Sequence, residues 1–187
     1  LWQGLDHGHV EGNLTIGGED EENPVTNLDG LKNLVSVRCD LTITAAYTGE
    51  TLAGLENLTA CESLRIGSAA HPNETLRQLS LPALKEIKGD LCVYGTALQT
   101  ADFKSLQSVA GHFVLQSDAL LQLTADELTT VAGNMTLIGT TADEAKAPCE
   151  QMYFPKLQRI DGTLTLSRFD RLSGLGTTFG VLTQAGA

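Results

Sequence analysis

Apolar and polar positions along this chain recur in one short pattern: a small residue, a polar residue, then apolar, any, apolar. Gly12-Asn13-Leu14-Thr15-Ile16 is the first clear copy. Six others follow: Cys39-Asp40-Leu41-Thr42-Ile43, Glu62-Ser63-Leu64-Arg65-Ile66, Gly89-Asp90-Leu91-Cys92-Val93, Gly111-His112-Phe113-Val114-Leu115, Gly133-Asn134-Met135-Thr136-Leu137 and Gly162-Thr163-Leu164-Thr165-Leu166. The first apolar position falls at 14, 41, 64, 91, 113, 135 and 164, with gaps of 27, 23, 27, 22, 22 and 29 residues. A period in the range of about 20–50 residues is the mark of a solenoid, propeller or array. Apolar residues two apart share one face of a strand, and the residue between them faces the other way. Each copy therefore predicts a short strand whose two apolar residues point inward and whose middle residue points out.

The stretch before each strand has a different spacing. Leu28, Leu31, Leu34 and Val37 lie three apart, as do Leu52, Leu55 and Leu58. This fits a polygonal coil with one inward residue per short edge, and equally a run of short helical turns. Each repeat thus predicts a turn-rich side and a strand side. Strands of successive repeats should pair in parallel about 4.8 Å apart, so seven would stack to roughly 30–35 Å. The expected fold is all-β: a parallel β-solenoid of about seven coils, one domain over 1–183 that begins and ends within a repeat. Leu172 and Leu175 lead towards Phe179–Leu182 as a further half-repeat, and 184–187 reads as a tail. Loops at 17–27, 67–75 and 139–152 interrupt the period.

Composition narrows the function classes. Hydrophobic residues make up 42% and aromatic residues only 5% of 187, so the core is built from Leu, Val and Ile. The net charge of −11 opposes binding to a phosphate backbone or an anionic membrane surface. No run approaches the roughly 18 apolar residues of a membrane-spanning helix. No Cys-x-x-Cys, phosphate-binding glycine loop or Ser–His–Asp pattern is present, and no cofactor is implied.

The repeat unit itself carries a resemblance. Phe154-Pro155-Lys156-Leu157-Gln158-Arg159-Ile160-Asp161-Gly162-Thr163-Leu164-Thr165-Leu166 and Leu81-Pro82-Ala83-Leu84-Lys85-Glu86-Ile87-Lys88-Gly89-Asp90-Leu91-Cys92-Val93 both resemble the receptor L domain. That unit occurs in ectodomains of insulin- and epidermal-growth-factor-type receptors, in fungal cell-wall proteins held by a lipid anchor, and in secreted bacterial proteins. The resemblance implies a right-handed solenoid of short parallel strands and an extracellular or cell-surface setting. It is nearly silent on function. An ordinary leucine-rich repeat would carry an Asn ladder, and no Asn recurs in register after these strands.

Several residues are candidates for chemistry. Cys39 and Cys61 lie at nearly equal phase in adjacent coils, within reach of a disulfide. Cys92 with Cys149 follows by elimination, and an even count suits an oxidising compartment. Asn-x-Thr occurs at Asn13, Asn57, Asn73 and Asn134, the acceptor pattern for an N-glycan in a secreted protein. Asn73 leads, in a Pro-containing loop expected to be exposed, and Asn57 follows. Asn13 and Asn134 belong to the motif, where Asn and Thr equally suit the turn and the strand face. His7-Gly8-His9 lacks a third ligand, and Glu19-Asp20-Glu21-Glu22 lacks the spacing of a calcium loop, so no metal is expected. The outward row Thr15, Thr42, Arg65, Cys92, Val114, Thr136 and Thr165 contains no acid, unlike a polysaccharide-cleaving β-helix. It is too interrupted for a regular ice-matching array. The expectation is a non-enzymatic recognition or adhesion module for an extracellular protein or glycan. The alternative is a structural subunit of a wall or filament that assembles end to end, and a polysaccharide-active enzyme comes last.

Overall fold

The computed structural model describes residues 8–18, 24–139, 148–173 and 178–186. The chain winds into a parallel β-solenoid of about seven turns, and one 3-10 turn at Asp29–Leu31 interrupts it. Its strands form three parallel sheets of eight, seven and four strands. The first sheet has eight two-residue strands: His9–Val10, Ser36–Val37, Ala60–Cys61, Glu86–Ile87, Ser108–Val109, Thr130–Val131, Arg159–Ile160 and Gln184–Ala185. The second holds the motif strands: Leu14–Ile16, Leu41–Ile43, Leu64–Ile66, Leu91–Tyr94, Phe113–Gln116, Met135–Ile138 and Leu164–Ser167. The third has four strands, Gln78–Ser80, Thr100–Asp102, Gln122–Thr124 and Gln151–Tyr153, and a single bridge from Gln78 to Thr51 extends it by one rung.

The motif strands stack in the register that the period predicts. Leu14, Leu41, Leu64, Leu91, Phe113, Met135 and Leu164 form one inward column. Ile16, Ile43, Ile66, Val93, Leu115, Leu137 and Leu166 form the next. All but the last rung are buried. The three-residue spacing resolves into short edges closed by turns: Leu34 N–H donates to Leu31 O, Leu58 to Leu55, Leu84 to Leu81, Leu106 to Phe103 and Leu157 to Phe154. The solenoid thus has two further strand faces where the sequence predicts one turn-rich side. The signal was present in Gln78-Leu79-Ser80, Thr100-Ala101-Asp102, Gln122-Leu123-Thr124 and Gln151-Met152-Tyr153. Each runs polar–apolar–polar, with the middle residue buried. Gln184–Ala185 is likewise a strand on Arg159–Ile160 rather than a tail.

Two packing features set the shape of the later coils. At the corner between the first and second sheets, glycines stack directly: Gly111 N–H donates to Gly89 O at 2.8 Å, Gly133 to Gly111 at 2.8 Å, Gly162 to Gly133 at 3.1 Å and Gly186 to Gly162 at 3.0 Å. A Cβ on Gly111 would lie 2.7 Å from both C and O of Gly89, so nothing larger fits without moving the backbone. The second feature is aromatic. Phe103, Ala125 and Phe154 follow one another on successive rungs after the third sheet. Small Ala125 leaves room there for the ring of Phe113, which meets Phe103 edge-on at 5.9 Å and Phe154 at 6.4 Å. Phe179 then stacks on Phe154 at 5.4 Å. Such edge-on and stacked pairs contribute about 0.5–1.5 kcal/mol each beyond the area they bury.

Candidate functional site

The outer face of the seven-stranded sheet is an extended regular surface. Its middle row is Thr15, Thr42, Arg65, Cys92, Val114, Thr136 and Thr165, in direct register from strand to strand. On the four later rungs a second outward row, Tyr94, Gln116, Ile138 and Ser167, runs beside it. The eight outward residues of these four rungs carry no charge, in a chain that is 19% charged. Over the first three rungs the corresponding second-row positions are small, and a shallow groove of about 740 Å³ opens there, lined in part by Thr15, Thr42, Thr44, Ser68 and His71.

Arg65 separates these two regions. Its guanidinium lies 3.9 Å from Asp40 and 3.6 Å from Asp90. All three side chains are about one-third exposed or more, so the pair energies are small. Burial pushes the Cys92 thiol up from its ordinary range, and Asp90 adds to this while Arg65 opposes it. Burial likewise raises the Tyr94 hydroxyl. Neither group is activated as a nucleophile or base by its surroundings.

One edge of the face is fixed by a polar ladder that the sequence did not reveal. At five of the motif strands the polar residue before the strand reaches the backbone of its counterpart one coil on, while Asp40 faces Arg65 instead. Asn13 Oδ1 accepts from Asp40 N–H at 3.1 Å, and Ser63 Oγ from Asp90 N–H at 3.3 Å. Asp90 Oδ1 accepts from His112 N–H at 2.9 Å, His112 Nδ1 from Asn134 N–H at 2.9 Å, and Asn134 Oδ1 from Thr163 N–H at 2.9 Å. The position demands an acceptor, not one residue type. For that reason Asn, Ser, Asp and His alternate there and no single-letter repeat is visible. His112 must be the Nε2–H tautomer to accept at Nδ1.

The cysteines do not pair. All four are free thiols. Cys61 sits in the inward column of the first sheet, between Val37 and Ile87. Cys39 sits at the corner, where its carbonyl accepts from Glu62 N–H at 3.0 Å. The expected phase match fails because the corner between Cys61 and Leu64 is one residue shorter than in the other coils, where four positions separate the two columns. Burial, reinforced by Asp40 and Glu62, pushes the Cys61 thiol up to about 12. Cys149 is fully buried two residues before Gln151, the place that Leu120 holds before Gln122. Its thiol donates to Gln151 O at 3.3 Å. Cys92 faces out from another sheet, so the second expected pairing fails too.

The glycosylation candidates also change order. Asn73 is fully buried. Its Nδ2 donates to Tyr47 O at 2.8 Å and to Thr44 O at 3.3 Å, and its Oδ1 accepts from Thr75 N–H at 3.1 Å and Leu76 N–H at 2.8 Å. The exposed residues of that loop are Ser68–His71 and Glu74. The exposure expected of Asn73 is therefore corrected: Asn73 clamps its loop onto the preceding coil. Asn13, Asn57 and Asn134 are exposed, and Asn57 Nδ2 donates to Lys32 O at 2.8 Å. Of the two metal candidates, His7 and the run Glu19–Glu22 lie outside the described residues. His9 Nδ1 is hydrogen-bonded to Ser36 Oγ at 2.8 Å. Among the described residues, no group of three His, Cys, Asp or Glu side chains is placed to hold a metal ion.

Compared with known protein families, with characterised proteins and with solved structures, the chain gives no match. The class that the fold defines is the parallel β-solenoid.

Proposed function

We propose that this chain is a recognition module of receptor L-domain type, acting at the cell surface or outside the cell, which binds through the outer face of its seven-stranded sheet. One observation carries the reading: eight outward side chains on four successive rungs are uncharged in a chain with net charge −11. Depletion of charge is the compositional mark of an interface centre, and repeats give solenoids extended binding surfaces. The face spans about 30 Å along the stack and 10–13 Å across it. That is several hundred Å², short of the roughly 800 Å² per partner of a standard protein interface. An oligosaccharide or an extended peptide segment fits it better than a globular partner. The free thiols withdraw disulfides as support for an extracellular site, which leaves the repeat pattern and the Asn-x-Thr sites. The test is a binding screen of wild type and a Val114→Glu/Ile138→Glu variant against panels of glycans and extracellular-protein peptides. At least one ligand should lose tenfold or more with the variant, a change of about 1.4 kcal/mol. If every ligand bound by wild type binds the variant equally, this face is not the site.

A second reading, end-to-end assembly, has its own observation. Leu164 and Leu166 on the last motif strand are only partly buried, whereas the equivalent residues of interior rungs are buried. Sedimentation over a hundredfold concentration range tests it: a constant monomer would rule out assembly.

A further inference from the structure

We infer that the corner ladder supplies two positions on this chain that accept an N-linked glycan, Asn13 and Asn134, and that Asn73, in the same sequence pattern, is closed to one. An asparagine that carries a glycan keeps its Oδ1 and one Nδ2 proton. The transfer forms a bond from Nδ2 to the sugar C1, breaks the bond from C1 to the pyrophosphate of a lipid-linked oligosaccharide donor, and releases the other Nδ2 proton. A site survives this in the folded protein if its native bonds use Oδ1 and leave Nδ2 facing solvent.

Asn13 and Asn134 meet that condition. Both are exposed, and each spends Oδ1 on the next coil, at 3.1 Å to Asp40 N–H and 2.9 Å to Thr163 N–H. No hydrogen bond engages either Nδ2 among the described residues. The ladder bond therefore persists after modification. The required Thr follows two residues on as the outward middle residue of the strand, Thr15 exposed and Thr136 half-buried.

Asn73 fails on each count. It is fully buried, and both Nδ2 protons are spent, on Tyr47 O and Thr44 O. Its Thr75 hydroxyl is held by Tyr47 O at 2.9 Å. A sugar on Nδ2 would remove a bond to the preceding coil and demand space where none exists. A chain modified at Asn73 before folding could not close the coil between Tyr47 and Leu76. The site preference is a property of the fold, and its use in nature rests on the secretory setting proposed above.

The experiment routes the whole chain, behind a cleavable secretion signal and with an Asn-Gly-Thr reporter tag at its C-terminus, through a eukaryotic secretory host. Site occupancy is read by mass spectrometry after enzymatic deglycosylation in heavy-oxygen water. If the chain is retained, the protease-resistant folded fraction is measured in its place. The expected result is occupancy at Asn13 and Asn134, loss of one glycan in Asn134→Gln, and none detectable at Asn73. A glycan at Asn73 in folded material overturns the inference. So do empty Asn13 and Asn134 sites on molecules whose tag is occupied. Because the host is chosen by the experimenter, failure of the binding reading leaves this outcome standing, and the reverse holds too.

Discussion

From Gly89 onward, the corner between the first two sheets is an unbroken stack of glycines; before it, the equivalent corner holds Gly12, Cys39 and Glu62. The two halves share a sheet, a register and inward apolar columns, yet their corners differ. A Cβ on Gly12 would meet nothing within 4 Å, while one on Gly111, Gly133 or Gly162 would lie within 2.8 Å of the backbone of the preceding coil. Backbone bonds run through the earlier corner too, from Glu62 N–H to Cys39 O at 3.0 Å and from Gly89 N–H to Glu62 O at 2.6 Å, but there the stacked residues Cys39 and Glu62 carry side chains. The earlier half also has the short corner at Cys61–Leu64 and puts a thiol in a column that from Val10 to Ile160 otherwise holds Val and Ile. Equal periodicity thus conceals a tight half and a tolerant half.

The difference can be broken experimentally, and the largest effect should come from the aromatic packing of the later half. Phe113→Ala should cost about 3–5 kcal/mol, the usual range for a buried Phe, because Phe103 and Phe154 lose the ring between them. Denaturant unfolding measures it, and a cost under about 1 kcal/mol would mean that the core closes over the gap.

Alkaline titration should probe the earlier half. The Cys61 thiol is raised from 9.0 to about 12 in the folded chain, so between those values the unfolded chain has lost a proton that the native state keeps. Its contribution is full below pH 9 and fades as pH rises to about 12, by up to roughly 4 kcal/mol at 1.36 kcal/mol per unit. Cys61→Val should flatten the fall in stability over that window relative to wild type. Identical slopes would show that the site admits water.

The glycine stack predicts a sharper contrast. Gly111→Ala should destabilise by about 1–3 kcal/mol through overpacking, and Gly12→Ala by no more than about 0.5 kcal/mol. Equal effects would remove the distinction between the halves. The smallest effect belongs to the polar ladder. His112→Ala should cost about 0.5–1.5 kcal/mol by taking the acceptor from Asn134 N–H. His112→Asn, which restores a side-chain acceptor, should recover most of it; failure to recover would assign the role to the ring and not to its Nδ1.

Much of this architecture was legible in the chain. Side-chain alternation has a period of two and burial is one-sided, so the inward columns from Leu14 to Leu164 and the outward row from Thr15 to Thr165 follow from the residues alone. The third sheet was legible in principle, from the middle residues Leu79, Ala101, Leu123 and Met152, but three residues of alternation are easily read as turn. The charge-free face was present in the sequence row by row. Seeing it as one surface required a second outward row, from Tyr94 to Ser167, which the motif does not include.

The stacking follows from the chain alone, because a repeating apolar pattern has one way to bury itself coil on coil. What happens at the corners is set by how one coil meets the next. One residue fewer between Cys61 and Leu64 put the two cysteines into different columns. Asn73 became a buried clamp through Thr44 and Tyr47, more than 25 residues away. Asn13 and Asn134 became members of a ladder whose partners lie a full coil along the chain. Each of these depends on which backbone groups adjacent coils bring within 3 Å or so of one another, and that is fixed by inter-coil register and not by local pattern.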